Sequence, residues 1–416
     1  MKLIRSRMLR SMGIYTIANI INAGIPFLLL PILTNYLSTS DYGVLSNFNA
    51  LVNLMIPFVG INLMSSAQIQ YLKEDINNKD YLTSGFRFNM ILALIFSGVI
   101  YFLNGTLSSL TGIPGELLYV LAVYALFSTV IEVLLAIWRM EDKAINYGAF
   151  RIGRTILELS LVLIFVVGFR MDFVGSIYGM VIAYSAGCLV AVLILFKKKL
   201  IFGAFRMDYL RHAFSYGVPL IPHTLSGIAI MYSDKLILTH YHGLDSNGIY
   251  SVGFMVGQII GLLQTSFNQA WVPWVFQKLK LDKYEDKLRM VKITYLYIIG
   301  ILIAVLFLWL IMPIIYMFFG KDFQAGMDLV LWIALGFAFN GMYKMVSVYI
   351  FYLEKTMIIA IASFGVAVLN VILNFVFIPE YGPQGAAVAT MISMGIQFLV
   401  IWFIASRLIK MPWLLK

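Results

Sequence analysis

Charged residues inside apolar segments are the features of this 416-residue chain that suggest chemistry. They are Glu132, Arg154, Glu158, Asp234, Lys235 and Lys344. Placing a charge at the centre of a bilayer costs about 2.5–3.5 kcal/mol on insertion scales, so such residues normally face a protein interior or a water-filled cavity. We therefore predict that a site for an anionic substrate or a coupling ion lies among them.

The basic members of this set predict binding of a phosphate group. A lysine binds phosphate as a point charge, and an arginine binds it through a planar fork of donors. We predict that Lys235, Lys344 and Arg154 contact the substrate, together with Asp234. Because Asp234 and Lys235 are adjacent on a helix, they point to different faces and need different partners.

Two carboxylates, Glu132 and Glu158, have two interpretations. Each either takes part in ion coupling or forms a structural charge pair. Arg154 and Glu158 are four residues apart, which places them on one helix face and favours mutual neutralisation.

The sequence lacks the motifs that indicate nucleotide binding, metal binding or catalysis. It has no G-x-x-x-x-G-K-[ST] phosphate loop, and its four histidines form no H-E-x-x-H motif. The single cysteine, Cys188, excludes an internal disulfide and a cysteine metal cluster. We expect no catalytic residue, no metal site and no cofactor, and we expect that the protein is not an enzyme.

The composition indicates a membrane protein. The chain is 61% hydrophobic and 12% charged, against about 45–50% and 25% in soluble domains. Twelve apolar segments are each long enough to span a bilayer. They are approximately 13–37, 43–69, 85–103, 116–138, 147–169, 174–196, 214–241, 247–274, 291–316, 327–350, 357–378 and 385–406. The predicted fold class is an all-α polytopic membrane protein.

The distribution of basic residues predicts the topology. With the N-terminus in the cytoplasm, 26 Lys and Arg residues fall on the inner side and only Arg170 and Lys321 on the outer side. This one-sided distribution follows the positive-inside rule and predicts that both termini are cytoplasmic. It also explains the net charge of +10 without nucleic acid as a partner.

A basic stretch divides the segments into six and six. We predict an N-terminal bundle at 1–196, a basic amphipathic cytoplasmic linker at 197–213 and a C-terminal bundle at 214–416. "LTNYLSTSDYGVLS" (33–46) returns 205 residues later as "LTHYHGLDSNGIYS" (238–251), each time between two predicted spans. The pattern predicts two parallel six-helix bundles around a central cavity.

Prolines and asparagines within the spans are further candidates. Pro26 and Pro31 in the first span, and Pro219 and Pro222 in the seventh, are predicted hinges because proline removes helix hydrogen bonds. The alternative is ordinary kinking, which is common in polytopic proteins. Asparagines in the first and eleventh spans either line a polar cavity or hold helices together by hydrogen bonds. They are Asn19, Asn22, Asn370 and Asn374.

Four stretches in this order carry a resemblance to a known family. They are "LPILTNYLSTSDYGVLS" (30–46), "YGVPLIPHTLSGIAIMYSDKLIL" (216–238), "SFNQAWVPWVF" (266–276) and "IPEYGPQGAAVAT" (378–390). With the twelve-span layout, the chain resembles the polysaccharide-transport branch of the multidrug/oligosaccharidyl-lipid/polysaccharide exporter superfamily. More narrowly it is similar to a Wzx-type O-antigen oligosaccharide flippase. Relatives often carry Arg where this chain has Asn35.

The resemblance implies a function and a location. It implies transport of undecaprenyl-pyrophosphate-linked oligosaccharide, an O-antigen or similar repeat unit, to the outer leaflet of the bacterial cytoplasmic (inner) membrane. Alternating access, driven by a proton or sodium gradient, and contact with glycan polymerase machinery are implied as well. The alternatives are a multidrug or cation antiporter of the same superfamily and a membrane glycan polymerase. Short outer loops disfavour the polymerase.

Overall fold

A computed structural model describes residues 2–71, 76–281 and 283–414 as an all-helical chain. No β-strand occurs in these ranges, which confirms the predicted fold class. The α-helices are α1 (Lys2–Tyr36), α2 (Thr39–Gly60), α3 (Leu63–Tyr71), α4 (Asn78–Thr111), α5 (Gly115–Leu118), α6 (Val120–Met140), α7 (Ala144–Leu163), α8 (Asp172–Lys197), α9 (Met207–Gly217), α10 (Ile221–Gly257), α11 (Ile259–Leu279), α12 (Tyr284–Tyr316), α13 (Met327–Tyr352) and α14 (Thr356–Leu408). A π-helical turn, Ile164–Gly168, extends α7.

The chain forms two compact units, residues 1–228 and 229–416. The amphipathic helix α9, which includes part of the predicted linker, packs on α3 and α4 inside the first unit. The division of the chain at 197–213 stays a prediction.

Nine helical stretches within the described ranges are long and apolar enough to cross a bilayer. Two of these stretches, of 56 and 53 residues, contain non-helical backbone at Gly243 and Gly382. Each is long enough for two spans of about 20 residues. Counting each of these as two gives eleven stretches that correspond to predicted segments. The remaining predicted segment, 147–169, overlaps α7, which carries Arg151, Arg154 and Glu158 and is not among the nine. Two predicted segments are interrupted: 43–69 between α2 and α3, and 214–241 at the 3-10 turn Val218–Leu220.

Large apolar side chains are exposed along the outer helices. On α4 they include Leu94 and Phe102, and on α12 they include Leu296 and Phe307. Apolar surface of this extent is a liability in water, whereas in a bilayer it faces hydrocarbon. The helices α4 and α12 therefore present membrane-facing surfaces.

The repeated sequence forms a helix break in both copies. In the first copy, Ser38 caps α2 by a capping box: its Oγ accepts from the Asp41 N–H at 3.1 Å, and its own N–H donates to Asp41 Oδ2 at 3.1 Å. In the second copy, 205 residues on, Gly243 has a φ of 80°. That left-handed backbone favours glycine. The same turn is thus made by a side-chain cap in one copy and by glycine in the other.

The two proline pairs occupy different kinds of position. Pro26 and Pro31 lie inside α1, as predicted. Pro219 lies in a 3-10 turn, Val218–Leu220, and Pro222 is the second residue of α10, so both precede the helix interior that the sequence suggested. Proline is tolerated in a first turn because that turn has no N–H partners to lose. A hinge role for all four prolines stays a prediction.

The carboxylate of Glu141 connects the ends of three helices in the first unit, namely α3, α6 and α8. Glu141 follows α6, and Lys198, which follows α8, donates to both its oxygens at 2.6 and 2.5 Å. Tyr71, the last residue of α3, donates to it at 2.5 Å, and Lys143 Nζ lies 2.9 Å away. Burial raises the pKa of Glu141, but the hydrogen bonds from Lys198, Tyr71 and Lys143 outweigh burial and bring the pKa from 4.5 to about 2.

We expect Glu141→Gln to lower the free energy of unfolding at neutral pH by about 1–3 kcal/mol, allowing for partial solvent exposure. The folded-state pKa is depressed, so the stabilisation is complete above pH 4.5 and is lost as pH falls towards 2. Thermal unfolding of both proteins at several pH values would measure this difference. It should shrink below about pH 4.5, whereas the exposed control Glu116→Gln should show little difference at any pH. An equal Glu141→Gln deficit at pH 7 and pH 3 would contradict this assignment.

Candidate functional site

The first unit holds an arginine between a carboxylate and an aromatic ring. Arg154 Nη1 lies 3.2 Å from Glu158 Oε2, one turn further along α7. The guanidinium also lies 4.1 Å from the ring centroid of Tyr184 on α8. Tyr184 in turn packs against Tyr124 of α6 with the two rings tilted by 33° and their centroids 4.2 Å apart. Glu158 therefore forms a charge pair with Arg154, which is the structural one of its two interpretations.

Glu132 occupies a different environment from Glu158. It lies on α6 and lines a cavity of about 360 Å³ in the first unit. Polar side chains share that lining, namely Asn53, Asn62, Ser128, Thr129 and Thr224. Within the described part of the chain, no basic side chain lies within 4 Å of the Glu132 carboxylate. A half-buried carboxylate beside hydroxyl and amide groups can exchange a proton or hold a small cation.

In the second unit, the side chain of Asp234 is fully buried and hydrogen-bonded to protein groups. It is 0% exposed, accepts a short hydrogen bond from the hydroxyl of Tyr250, and accepts from the Lys235 N–H at 2.8 Å. Tyr250 is also buried, seven residues beyond the break at Gly243 in α10. Both partners of Asp234 are therefore protein groups, which favours a role in positioning the helix.

Lys235 is held by aromatic rings. Its Nζ lies 5.0 Å from the ring centroid of Tyr232 and 4.7 Å from that of Phe254, and the residue is 8% exposed. Desolvated cation–π contacts of this kind contribute about 2 kcal/mol. No carboxylate lies within 4 Å of this ammonium among the residues that the structure describes. Apart from the backbone hydrogen bond between them, the two side chains thus have different partners: Tyr250 for Asp234, and the two aromatic rings for Lys235.

Lys344 lies on α13, apart from these aromatic contacts. It is half-buried, and no ion pair involves its ammonium in the described ranges. A partly desolvated cation without a carboxylate partner is available to an anionic ligand. Among the described residues, the second unit therefore contains two lysines, Lys235 and Lys344, whose ammonium groups have no carboxylate within 4 Å, and the buried Asp234 acts on Lys235 from a greater distance.

The asparagines join helices. Asn370 and Asn374 on α14 are 0% exposed. Asn374 Nδ2 donates to Ser233 Oγ of α10, and Asn370 Nδ2 donates to Ser393 Oγ, each at 3.3 Å. In the first unit, Tyr147 donates to Asn19 Oδ1 at 3.1 Å, linking α7 to α1. Thr155 donates to Asn22 Oδ1 at 2.5 Å across the same helix pair. Of the two alternatives, the structure favours interhelical hydrogen bonds.

The comparison with solved structures defines the class of fold. A multidrug resistance MATE family transporter of the MOP superfamily, in an inward-facing conformation, superposes with a TM-score of 0.74 at 16% identity, covering 95% of this chain and 94% of that one. The lipid II flippase MurJ, in an inward closed conformation, gives 0.71 at 16% identity, covering 98% and 88%. The fold is therefore that of these membrane transport proteins.

Sequence comparison then assigns the family. Residues 8–279 match the family described as polysaccharide biosynthesis protein, and the chain belongs to that family. Two relatives from Haemophilus influenzae are similar as well. An "Uncharacterized membrane protein" is 24% identical over 285 residues, and "Lsg locus putative protein 1" is 21% identical over 277 residues. These matches cover 66% and 65% of this chain, and 66% of the length of each relative.

Proposed function

We propose that this chain is a flippase for oligosaccharide linked to undecaprenyl pyrophosphate, an O-antigen or similar lipopolysaccharide repeat unit. It moves this lipid from the cytoplasmic to the outer leaflet of the bacterial cytoplasmic membrane by alternating access. Both termini lie in the cytoplasm in this proposal. The chain breaks no covalent bond in its substrate, so it is a transporter and not an enzyme.

The observation that carries the proposal is the buried ammonium of Lys235. It is framed by Tyr232 and Phe254 and has no acidic partner within 4 Å among the described residues. A pyrophosphate cannot cross hydrocarbon unaided, because its oxygens would lose water without replacement. A desolvated cation supplies that replacement, and aromatic faces suit sugar rings. Membership of the polysaccharide biosynthesis protein family supports the same substrate class.

The remaining candidates take supporting roles in this proposal. Lys344 provides a second positive charge for the pyrophosphate, and Arg154 provides one in the first unit. Glu132, at its polar cavity, is the site for a coupling proton or sodium ion. Glu158 keeps Arg154 neutralised until an anion competes for the guanidinium. Pro26, Pro31, Pro219 and Pro222 mark the positions where the first helix of each half bends.

A deletion strain without a second flippase tests the proposal. Lipid-linked repeat units should accumulate on the cytoplasmic side and fall to background on the outer side. The wild-type gene should restore them. Repeat units that reach the outer leaflet at the normal rate in the deletion strain would disprove the assignment.

One observation favours a second candidate function. Glu132 has no basic side chain within 4 Å in the described part of the chain, and a carboxylate in a cavity suits a cationic drug. A multidrug or cation antiporter would therefore place its substrate at Glu132. Under this alternative, Glu132→Gln should abolish drug resistance while outer-leaflet repeat units remain normal.

A further inference from the structure

An apolar groove lies on the first unit, and none of the charged residues discussed above is among its lining residues. Its volume is about 570 Å³, within the range of about 300–1,000 Å³ for small-molecule sites. The floor comes from α6, and α4 and α8, which both pack on α6, form the walls. The lining is mostly apolar and includes Thr83, Arg87, Met90, Val192, Ile201 and Phe202.

The walls of the groove are exposed to the membrane. Met90 on α4 lines it and is 55% exposed, and Leu94 one turn further is 73% exposed. On α8, Leu189 and Leu193 lie beside the lining residues and are exposed too. Because these exposed apolar side chains on both walls face hydrocarbon, the groove opens to the bilayer and not to water.

One end of the groove is closed by a fixed loop. Ile201 and Phe202 cap it, and the loop that follows is fastened to α4 by three side chains. Thr83 Oγ1 accepts from the Gly203 N–H at 2.9 Å, Asp80 Oδ1 from the Ala204 N–H at 2.8 Å, and Ser84 Oγ from the Arg206 N–H at 2.9 Å. The rim is therefore a built part of the first unit.

One lining residue of the groove is charged. Among the described lining residues this is Arg87, which is exposed and lies one turn along α4 from Thr83. Three exposed basic residues, Lys197, Lys199 and Arg206, lie in and beside the loop that caps the groove, and Arg206 is 3.7 Å from Asp208. Clusters of this kind next to a span attract anionic lipid headgroups.

The dimensions match one lipid of one leaflet. From Thr83 to Met90 on α4 the wall runs for about 10 Å at 1.5 Å per residue. Half of the hydrocarbon core is about 15 Å thick, so the groove extends from the interface most of the way to the midplane. A groove of this length covers the part of an acyl chain nearest the headgroup, and the Arg87 guanidinium is a donor for a lipid phosphate.

We infer that this groove binds an anionic phospholipid of the inner leaflet, with an acyl chain between α4 and α8 and its phosphate on Arg87. This inference goes beyond the proposed function and does not depend on it. It also assigns a role to the loop 201–206, which forms the rim of the lipid site.

Native mass spectrometry of the purified full-length protein, titrated with phosphatidylglycerol or phosphatidylcholine, tests the inference. One phosphatidylglycerol should bind at least about tenfold more tightly than phosphatidylcholine, since a charge-assisted hydrogen bond contributes that much. Arg87→Gln should remove this preference, and Arg87→Lys should retain part of it. Val192→Trp, which fills the groove, should weaken binding of both lipids.

The matched control is Arg170→Gln, which removes the same charge just before the opposite end of α8 and should leave binding unchanged. Equal binding of both lipids to the wild type would overturn the inference, as would an equal loss in Arg170→Gln and Arg87→Gln. Displacement of phosphatidylglycerol by polyprenyl phosphate at equal concentration would overturn it too, because the groove would then bind the carrier. A melting curve for each variant shows that it is folded.

Discussion

Lys235→Gln should reduce the rate of oligosaccharide flipping by about 10- to 100-fold at a normal level of protein. The wild-type ammonium lies buried between the rings of Tyr232 and Phe254, where it is largely desolvated. Charge-assisted hydrogen bonds to phosphate contribute about 1.5–3 kcal/mol in such surroundings. Because about 1.4 kcal/mol corresponds to a factor of ten, losing this contribution slows flipping by about 10- to 100-fold. Counting repeat units at the outer leaflet in a complemented deletion strain would measure it.

Two variants serve as controls for this prediction. Lys235→Arg keeps the cation and should retain more transport than Lys235→Gln. Lys321→Gln removes an exposed lysine of the same unit and should have no effect. Transport at the wild-type rate in Lys235→Gln would exclude Lys235 from the substrate site, and Lys344 would then be the remaining candidate in the second unit.

Tyr250→Phe should lower the free energy of unfolding by about 1.5–3 kcal/mol, because the Asp234 carboxylate would lose its phenol donor while it remains buried. Thermal unfolding in detergent would detect this as a lower melting temperature. Tyr241→Phe removes a hydroxyl from an exposed ring two residues before the break at Gly243 and should leave the melting temperature unchanged.

A double-mutant cycle separates this hydrogen bond from general damage to the core. Asp234→Ala and Tyr250→Phe should each destabilise the protein, and the double variant should be less destabilised than the sum of the two. Strict additivity would show that the two side chains do not interact, in contradiction to the structure.

Helix positions and charge pairs were largely predictable from the sequence. Runs of about 20 apolar residues have few structures available to them in a bilayer, so the twelve segments could be identified in advance. The pair Arg154–Glu158 followed from a spacing of four residues on one helix. The separate partners of Asp234 and Lys235 followed from their adjacency.

The aromatic contacts of Lys235 were not identified from the sequence. Tyr232 lies three residues before Lys235 on the same helix face, and that spacing is a usable signal. Phe254, however, lies beyond the break at Gly243, so its approach depends on how the chain folds back at that turn. The chain has 31 phenylalanines, and nothing in the local sequence distinguishes this one.

Helix boundaries around proline also required the structure. Pro219 and Pro222 lie within an apolar run that is long enough to be one helix, but the chain forms a 3-10 turn there before α10 begins. The N-cap at Ser38 and the glycine at Gly243 likewise make equivalent turns by different means. Local chemistry specifies a break in each case, whereas its geometry depends on packing.

An assay with the purified protein in liposomes tests most directly whether the chain moves lipid-linked oligosaccharide between leaflets. Labelled undecaprenyl-pyrophosphate oligosaccharide is placed in both leaflets, and a glycosidase added outside cleaves whatever reaches the outer leaflet. With the wild-type chain, the glycosidase should first cleave the half of the labelled lipid that starts in the outer leaflet. It should then cleave nearly all the rest as that lipid is flipped outward. Lys235→Gln liposomes should reach that point about 10- to 100-fold more slowly. Cleavage that stops at the outer half, as in liposomes without protein, would contradict the proposed function.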